Sequence, residues 1–180
     1  MVRLLILTGA RLREIGNLHS DEIKGNTIEL PAERVKNGKP FILPLSKPAV
    51  EIIAGRMKAG LLFARDGKTG LTDEGRLKRE LDKRIAEMTG AALPDWHLHD
   101  LRRSVATHMA ESPGDGGLGI QPHIVEAVLN HISGHKGGVA GIYNRASYLA
   151  EKRQALAMWA DHVLALVAGR KSNVLPMQRA

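Results

Sequence analysis

The chain has 180 residues, with 26 Lys and Arg against 19 Asp and Glu, a formal net charge of +7 and a pI near 9.9. It contains no cysteine, which excludes a disulfide scaffold, a thiolate zinc site and a cysteine nucleophile together, and fits a reducing compartment such as the cytoplasm. The excess positive charge favours a polyanionic partner, with nucleic acid first, although an ordinary basic globular protein would carry the same charge.

One domain of this length buries about two-thirds of its unfolded surface without help from a metal or disulfide. No apolar run approaches the roughly 18 residues of a membrane span. The opening "MVRLLILTGARLREIG" turns polar after seven residues, too soon for a secretory signal, so we expect a soluble chain with no membrane partner. Leu4, Leu5 and Leu7, followed by Ile15 and Leu18 across a Thr-Gly pair, predict a helix, a break and a second helix. Because that pattern begins within a helix, Met1 reads as the edge of a fragment. We expect a domain over residues 1–170 and a tail over 171–180.

Residues 21–44 carry Gly-Asn and Asn-Gly turn signals between β-prone runs at 27–30 and 40–44, which predicts a small antiparallel meander. Ser46 and Pro48 open a helix over 47–58. Thr72 is expected to cap a further helix, amphipathic through Leu77, Leu81, Ile85 and Met88. From His99, Leu101, Val105 and Met109 share a helical face that breaks at Pro113. A glycine-rich loop and a short helix at "IVEAVLNH" follow. A long terminal helix from Ser147 to about Gly169 then turns Leu156, Trp159, Val163 and Val167 inward. The expected class is α+β, mainly α-helical, with a small antiparallel three-stranded sheet in the N-terminal third.

Some motifs mislead. "GDGGLG" satisfies G-x-G-x-x-G through Gly114, Gly116 and Gly119, yet it follows a helix and precedes a proline, whereas a dinucleotide site needs a strand before it and a helix directly after. His97 with His99, and His131 with His135, lack the carboxylate partners of a known metal motif. His99 and Asp100 have the "HD" of metal phosphohydrolases without the further His and Asp ligands those enzymes need.

Four separated pieces use residue types suited to a phosphodiester. They are Arg11 in "TGARLRE", Lys36 in "RVKNGK", His99 and Arg102 in "HDLRR", and His131 with Tyr143 in "LNHISGHKGGVAGIYNR". Singly, each has a plain alternative. Arg11 and Glu14 make an ordinary i, i+3 helix pair; Lys36 suits any turn; His99 suits a helix start; Tyr143 suits a core. In this order across some 130 residues, they resemble the catalytic domain of the tyrosine recombinases, closest to the integrases of prophages and genomic islands. The likeness covers nearly the whole chain; against the family pattern, the first catalytic-domain helix is expected to be cut short and the amino-terminal domain that clamps DNA to be absent.

That resemblance implies Arg11, Lys36, His99, Arg102, His131 and Tyr143 as catalytic residues, with Glu14 in support. It implies double-stranded DNA as substrate, site-specific integration and excision as activity, a 3′-phosphotyrosine intermediate, and no ATP, metal ion or other cofactor. A homo-tetramer on DNA is implied as well, with a monomer an alternative for an isolated fragment. Two guanidiniums would neutralise charge building on the non-bridging oxygens. His131 would add a hydrogen bond, His99 would take the phenol's proton, and Lys36 would protonate the leaving 5′-oxygen. Tyr148, five residues past Tyr143, is read as packing or as a phosphate contact. Glycines across 134–141 would let Tyr143 move. The alternatives are a type IB topoisomerase-like nicking-closing enzyme, a non-catalytic DNA-binding remnant of an integrase, and a metal phosphohydrolase.

Overall fold

A computed structural model describes residues 1–64, 66–131 and 147–170. Helix α1 (Val2–Thr8) is short because Gly9, at φ 62°, turns the backbone left-handed. A side chain at Gly9 would be strained at that φ, and its Cβ would come within 2.6 Å of Leu129 Cδ2 and 3.0 Å of Val105 Cγ1. The glycine therefore ends the helix and also lets α1 approach two later helices. Helix α2 (Leu12–Gly16) follows at once, as the Thr-Gly pair predicts.

The meander forms as three antiparallel strands, β1 (Ile23–Lys24), β2 (Thr27–Leu30) and β3 (Phe41–Pro44), in the order β1-β2-β3. Lys24 pairs with Thr27, leaving Gly25-Asn26 as a two-residue loop with Gly25 at φ 56°, the glycine-first pattern of a type II′ hairpin. Ile28 lies opposite Leu43 and Leu30 opposite Phe41. All four face the core, and Glu29 faces out.

Helix α3 (Lys47–Ala54) starts after Ser46, as expected, but stops four residues short of the predicted 58, at Gly55. The Ser46 hydroxyl makes no capping bond and is buried without a partner among the described residues. Helix α4 (Glu74–Thr89) corrects a second expectation: Asp73, not Thr72, is its cap, accepting the Arg76 N–H at 2.7 Å. A carboxylate is the stronger acceptor at a helix start. The apolar spacing of α4 does not bury it. None of its residues is buried, and Met88 is 85% exposed.

Helix α5 (Leu98–Ala110), helix α6 (Pro122–Leu129) and helix α7 (Leu149–Val167) complete the described helices. Val105 and Met109 of α5, Val128 of α6 and Leu156 and Trp159 of α7 pack with α1 and the sheet in one apolar cluster. Trp159 Nε1 donates to the Ile6 carbonyl at 2.7 Å, joining α7 to α1. Val163 is half-buried, but Val167 is 81% exposed, so the predicted inward face of α7 runs out before its end. Tyr148 sits at the start of α7 at φ 47°, half-buried against the core, with its ring 5.2 Å from that of His123.

The glycine-rich loop spends its amides on protein. Gly117 donates to Ser112, Leu118 to His108, Gly119 to Glu111 and Ile120 to Met109, at 2.7–2.9 Å. Those carbonyls at the end of α5 need partners, so these N–H groups are not turned toward a phosphate. Among the described residues, no helix is long and apolar enough to cross a membrane.

Candidate active site

Arg11 is the residue before α2, with extended backbone. Its own N–H and its guanidinium both point at Glu14, one helical turn on: N–H to Oε2 is 2.9 Å and Nη1 to Oε1 is 2.8 Å. Glu14 is 3% exposed. One buried carboxylate thus caps the helix and fixes the arginine, a stronger constraint than the solvated pair that spacing alone allows. The other guanidinium nitrogen, Nη2, donates to the Asn130 carbonyl at 3.0 Å.

Arg102 is on α5 and is 8% exposed. Its Nη1 donates to the Gly9 carbonyl at 2.7 Å, and its Nη2 donates to the Leu129 carbonyl. Both acceptors lie at helix C-termini, of α1 and α6, where carbonyls lack partners and partial negative charge collects. Burial, and then the nearby Arg11 charge, lower the Arg102 pKa to about 10. The group therefore stays protonated at neutral pH, and the two guanidiniums lie close enough to feel each other's charge, with the Glu14 carboxylate acting on Arg102 in the opposite sense.

His99 is exposed in the first turn of α5. Asp100, beside it, accepts the His97 N–H at 2.8 Å and so fixes the start of that helix. Arg11, His99 and Arg102 line a common cavity of about 440 Å³, which Trp96, Lys78 and Glu74 also line.

Lys36 is exposed in the turn before β3. The Gly38 N–H donates to the Val35 carbonyl at 3.0 Å, closing a β-turn with Lys36 and Asn37 at its centre. Asn37 Nδ2 donates to Asn130 Oδ1 at 2.8 Å. Asn130 ends α6 at φ 49° and ψ 45°, and the next N–H, of His131, donates back to the Glu126 carbonyl at 2.9 Å, the closure of a Schellman motif. The exposed His131 side chain therefore leaves the chain beside the residue that holds both Arg11 and the Lys36 turn. Tyr143, His135 and the glycines at 134–141 lie outside the described residues, as does the tail at 171–180.

Several residues of this framework escape a reading by motif. Arg34 donates to Glu22 Oε1 at 2.7 Å, to the Asn17 carbonyl at 2.8 Å and to the Glu14 carbonyl at 3.2 Å, tying the segment before Lys36 to α2. Lys152, 4% exposed, donates from α7 to the Ile42 carbonyl at 2.6 Å. Asn37 and Asn130 carry no signal in single-residue chemistry; their pairing spans 93 positions. Among the described residues, no group of three His, Asp or Glu is placed to hold a metal ion.

The profile of the phage integrase family matches residues 1–148. The chain belongs to the phage integrase family. Prophage integrase IntZ of Escherichia coli (strain K12) is 28% identical over 186 residues, covering 97% of this chain and 42% of that protein. Prophage integrase IntA of the same strain is 29% identical over 172 residues, covering 91% of this chain and 38% of that protein. The chain spans less than half the length of either relative. The resemblance read from the Arg, Lys, His-x-x-Arg, His and Tyr order is thus borne out at the level of the integrase family, as is the α+β class with its small sheet.

Proposed function

We propose that the protein cleaves and rejoins double-stranded DNA in site-specific recombination of the phage type, with Tyr143 as nucleophile. The observation that carries this reading is the common cavity of Arg11, His99 and Arg102, whose edge is tied through Asn130 to the Lys36 turn and to His131. Cytoplasmic DNA is the expected partner, and a tetramer on two duplexes the expected assembly.

A phosphodiester repels nucleophiles, and attack concentrates further charge on its non-bridging oxygens. Arg11 and Arg102 place permanent charge where that increase falls, each such donor lowering the barrier by roughly 3–4 kcal/mol. Because buried Glu14 already orients Arg11, little rearrangement is needed at the moment of reaction. His131 supplies a further donor.

The Tyr143 phenolic oxygen forms the bond to phosphorus as the bond to the 5′-oxygen breaks. The phenol, with an ordinary pKa of about 10, gives up its proton as it attacks, and His99 accepts it. Lys36 gives a proton to the departing 5′-oxygen. The product is a 3′-phosphotyrosine diester and a free 5′-hydroxyl. Resealing runs the same steps backward, from a 5′-hydroxyl of the same or another strand. One phosphodiester replaces another of similar energy, so ATP has no part in it.

The test is a nicked suicide duplex, from which the short 5′-hydroxyl fragment diffuses away. The wild-type chain should form a covalent protein–DNA band that resists denaturant and is indifferent to EDTA. A protein that binds this duplex but forms no band would be a non-catalytic remnant. A band joined to relaxation of plasmid DNA without strand exchange would favour a topoisomerase-like activity.

A further inference from the structure

The Lys36 turn is exposed, but it is not free. Asn37, at the turn's centre, presents its amide to Asn130 across 93 residues, with Nδ2 2.8 Å from Oδ1. The orientation follows from the neighbouring bond, because the Lys39 N–H donates to Asn37 Oδ1 at 3.2 Å. The other terminal atom of Asn37 must then be the nitrogen, and the atom of Asn130 that faces it must be the oxygen.

Asn130 is an expensive choice for its position. At φ 49° a glycine would sit without strain, and it would not bury an amide. The Asn130 Nδ2 is buried with no hydrogen-bond partner among the described residues, so it bears the desolvation cost of an orphaned donor. One neutral side-chain bond offsets only part of that. A local rule broken without local compensation marks a residue kept for function. The function is legible in the connections, since the Asn130 carbonyl takes Arg11 Nη2 at 3.0 Å, its side chain takes the turn, and His131 is next in the chain.

We propose that Asn37 and Asn130 are positioning residues, a latch that sets the Lys36 ammonium in register with Arg11 and His131. The proposal rests on the reading of Lys36 as the acid for the leaving 5′-oxygen. Neither asparagine touches DNA in this role. The latch acts through Lys36.

The experiment compares single-turnover cleavage of two nicked duplexes, one with the ordinary bridging 5′-oxygen and one with sulfur in its place. A thiolate leaves without being protonated, so the second substrate bypasses the acid. Asn37→Ala removes the donor of the latch, and Asn130→Gly removes the acceptor while keeping both the left-handed backbone and the carbonyl for Arg11. Lys36→Ala is the benchmark.

Each asparagine variant should cleave the oxygen substrate about tenfold to a hundredfold more slowly, the scale of a small misplacement of a catalytic group. Each should stay within about twofold of wild type on the sulfur substrate, where no general acid is required. The double variant should be no slower than the slower single one, since both remove the same interaction. Equal losses on the two substrates, or no loss on either, would overturn the latch. If Lys36→Ala loses equally on both substrates while the wild type still forms an adduct, Lys36 is not the acid and the latch falls with it. A wild type that cleaves neither duplex would instead overturn the reading of the whole site.

Discussion

Arg102 serves two purposes with one guanidinium. It closes the open carbonyls of α1 and α6 through Gly9 and Leu129, and it stands beside Arg11 on the cavity wall. A lysine keeps the charge but cannot reach both carbonyls with a single ammonium. We expect Arg102→Lys to unfold at lower urea concentration, with a loss of about 1–3 kcal/mol for the carbonyl left without a donor, and to lose cleavage as well. Unchanged urea stability would show that the two carbonyl bonds contribute nothing. At this scale the motif residues were proposed from their order along the chain, since arginine and histidine are too frequent here to single out any one of them. Asn37, Asn130 and Arg34 were not, because their importance lies in which backbone or side chain they meet across the chain, and no local pattern encodes that.

Between helices, Gly9 marks a close approach. Replacing it with alanine puts a Cβ at φ 62° and 2.6 Å from Leu129 Cδ2. Gly9→Ala should cost about 2 kcal/mol or more, from backbone strain and forced repacking together, measured by equilibrium urea unfolding. A second junction joins α7 to α5 at His162. That residue is 5% exposed, both its ring nitrogens lack hydrogen-bond partners among the described residues, and its ring is 6.0 Å from His108 and 5.6 Å from Trp159. Burial first, and then the proximity of His108, lower its pKa from the ordinary 6.5.

The sign follows from proton uptake. Below pH about 6.5 the unfolded chain binds a proton that the folded chain does not, so stability falls as pH drops through that window and is retained above it. The thermal midpoint should decline from pH 7 to pH 5, and His162→Leu should flatten the decline. An unchanged slope would remove His162 from the account. Helix boundaries show where elements outran their sequence signals. The spacing of Leu77, Leu81, Ile85 and Met88 marks a helix correctly, yet periodicity reports only that an apolar face exists. Whether another element covers it depends on the rest of the fold, and α4 stays at the surface. Asp73 displaced Thr72 as its cap for a local reason, one position and one stronger acceptor away.

For the molecule as a whole, the net charge of +7 on the proposed DNA partner has a measurable consequence. Phosphate contacts release condensed counterions, so the logarithm of affinity should fall linearly with the logarithm of salt, by about 0.9 for each phosphate neutralised. Fluorescence anisotropy with a labelled duplex measures that slope, and affinity independent of salt would contradict a phosphate-tracking surface. Fold class and family were legible because several weak signals in one order constrain each other; the order Arg, Lys, His-x-x-Arg, His, Tyr is specific where each member alone is not.

The phenol proposed to attack DNA is the one at position 143. With two tyrosines in the chain, the covalent adduct from the suicide duplex can be digested with protease and nuclease, and the peptide bearing the nucleotide sequenced by mass spectrometry. The modification is expected on Tyr143 and not on Tyr148, with no adduct from Tyr143→Phe despite undiminished DNA binding. A nucleotide on Tyr148, or an adduct that survives Tyr143→Phe, would contradict that assignment.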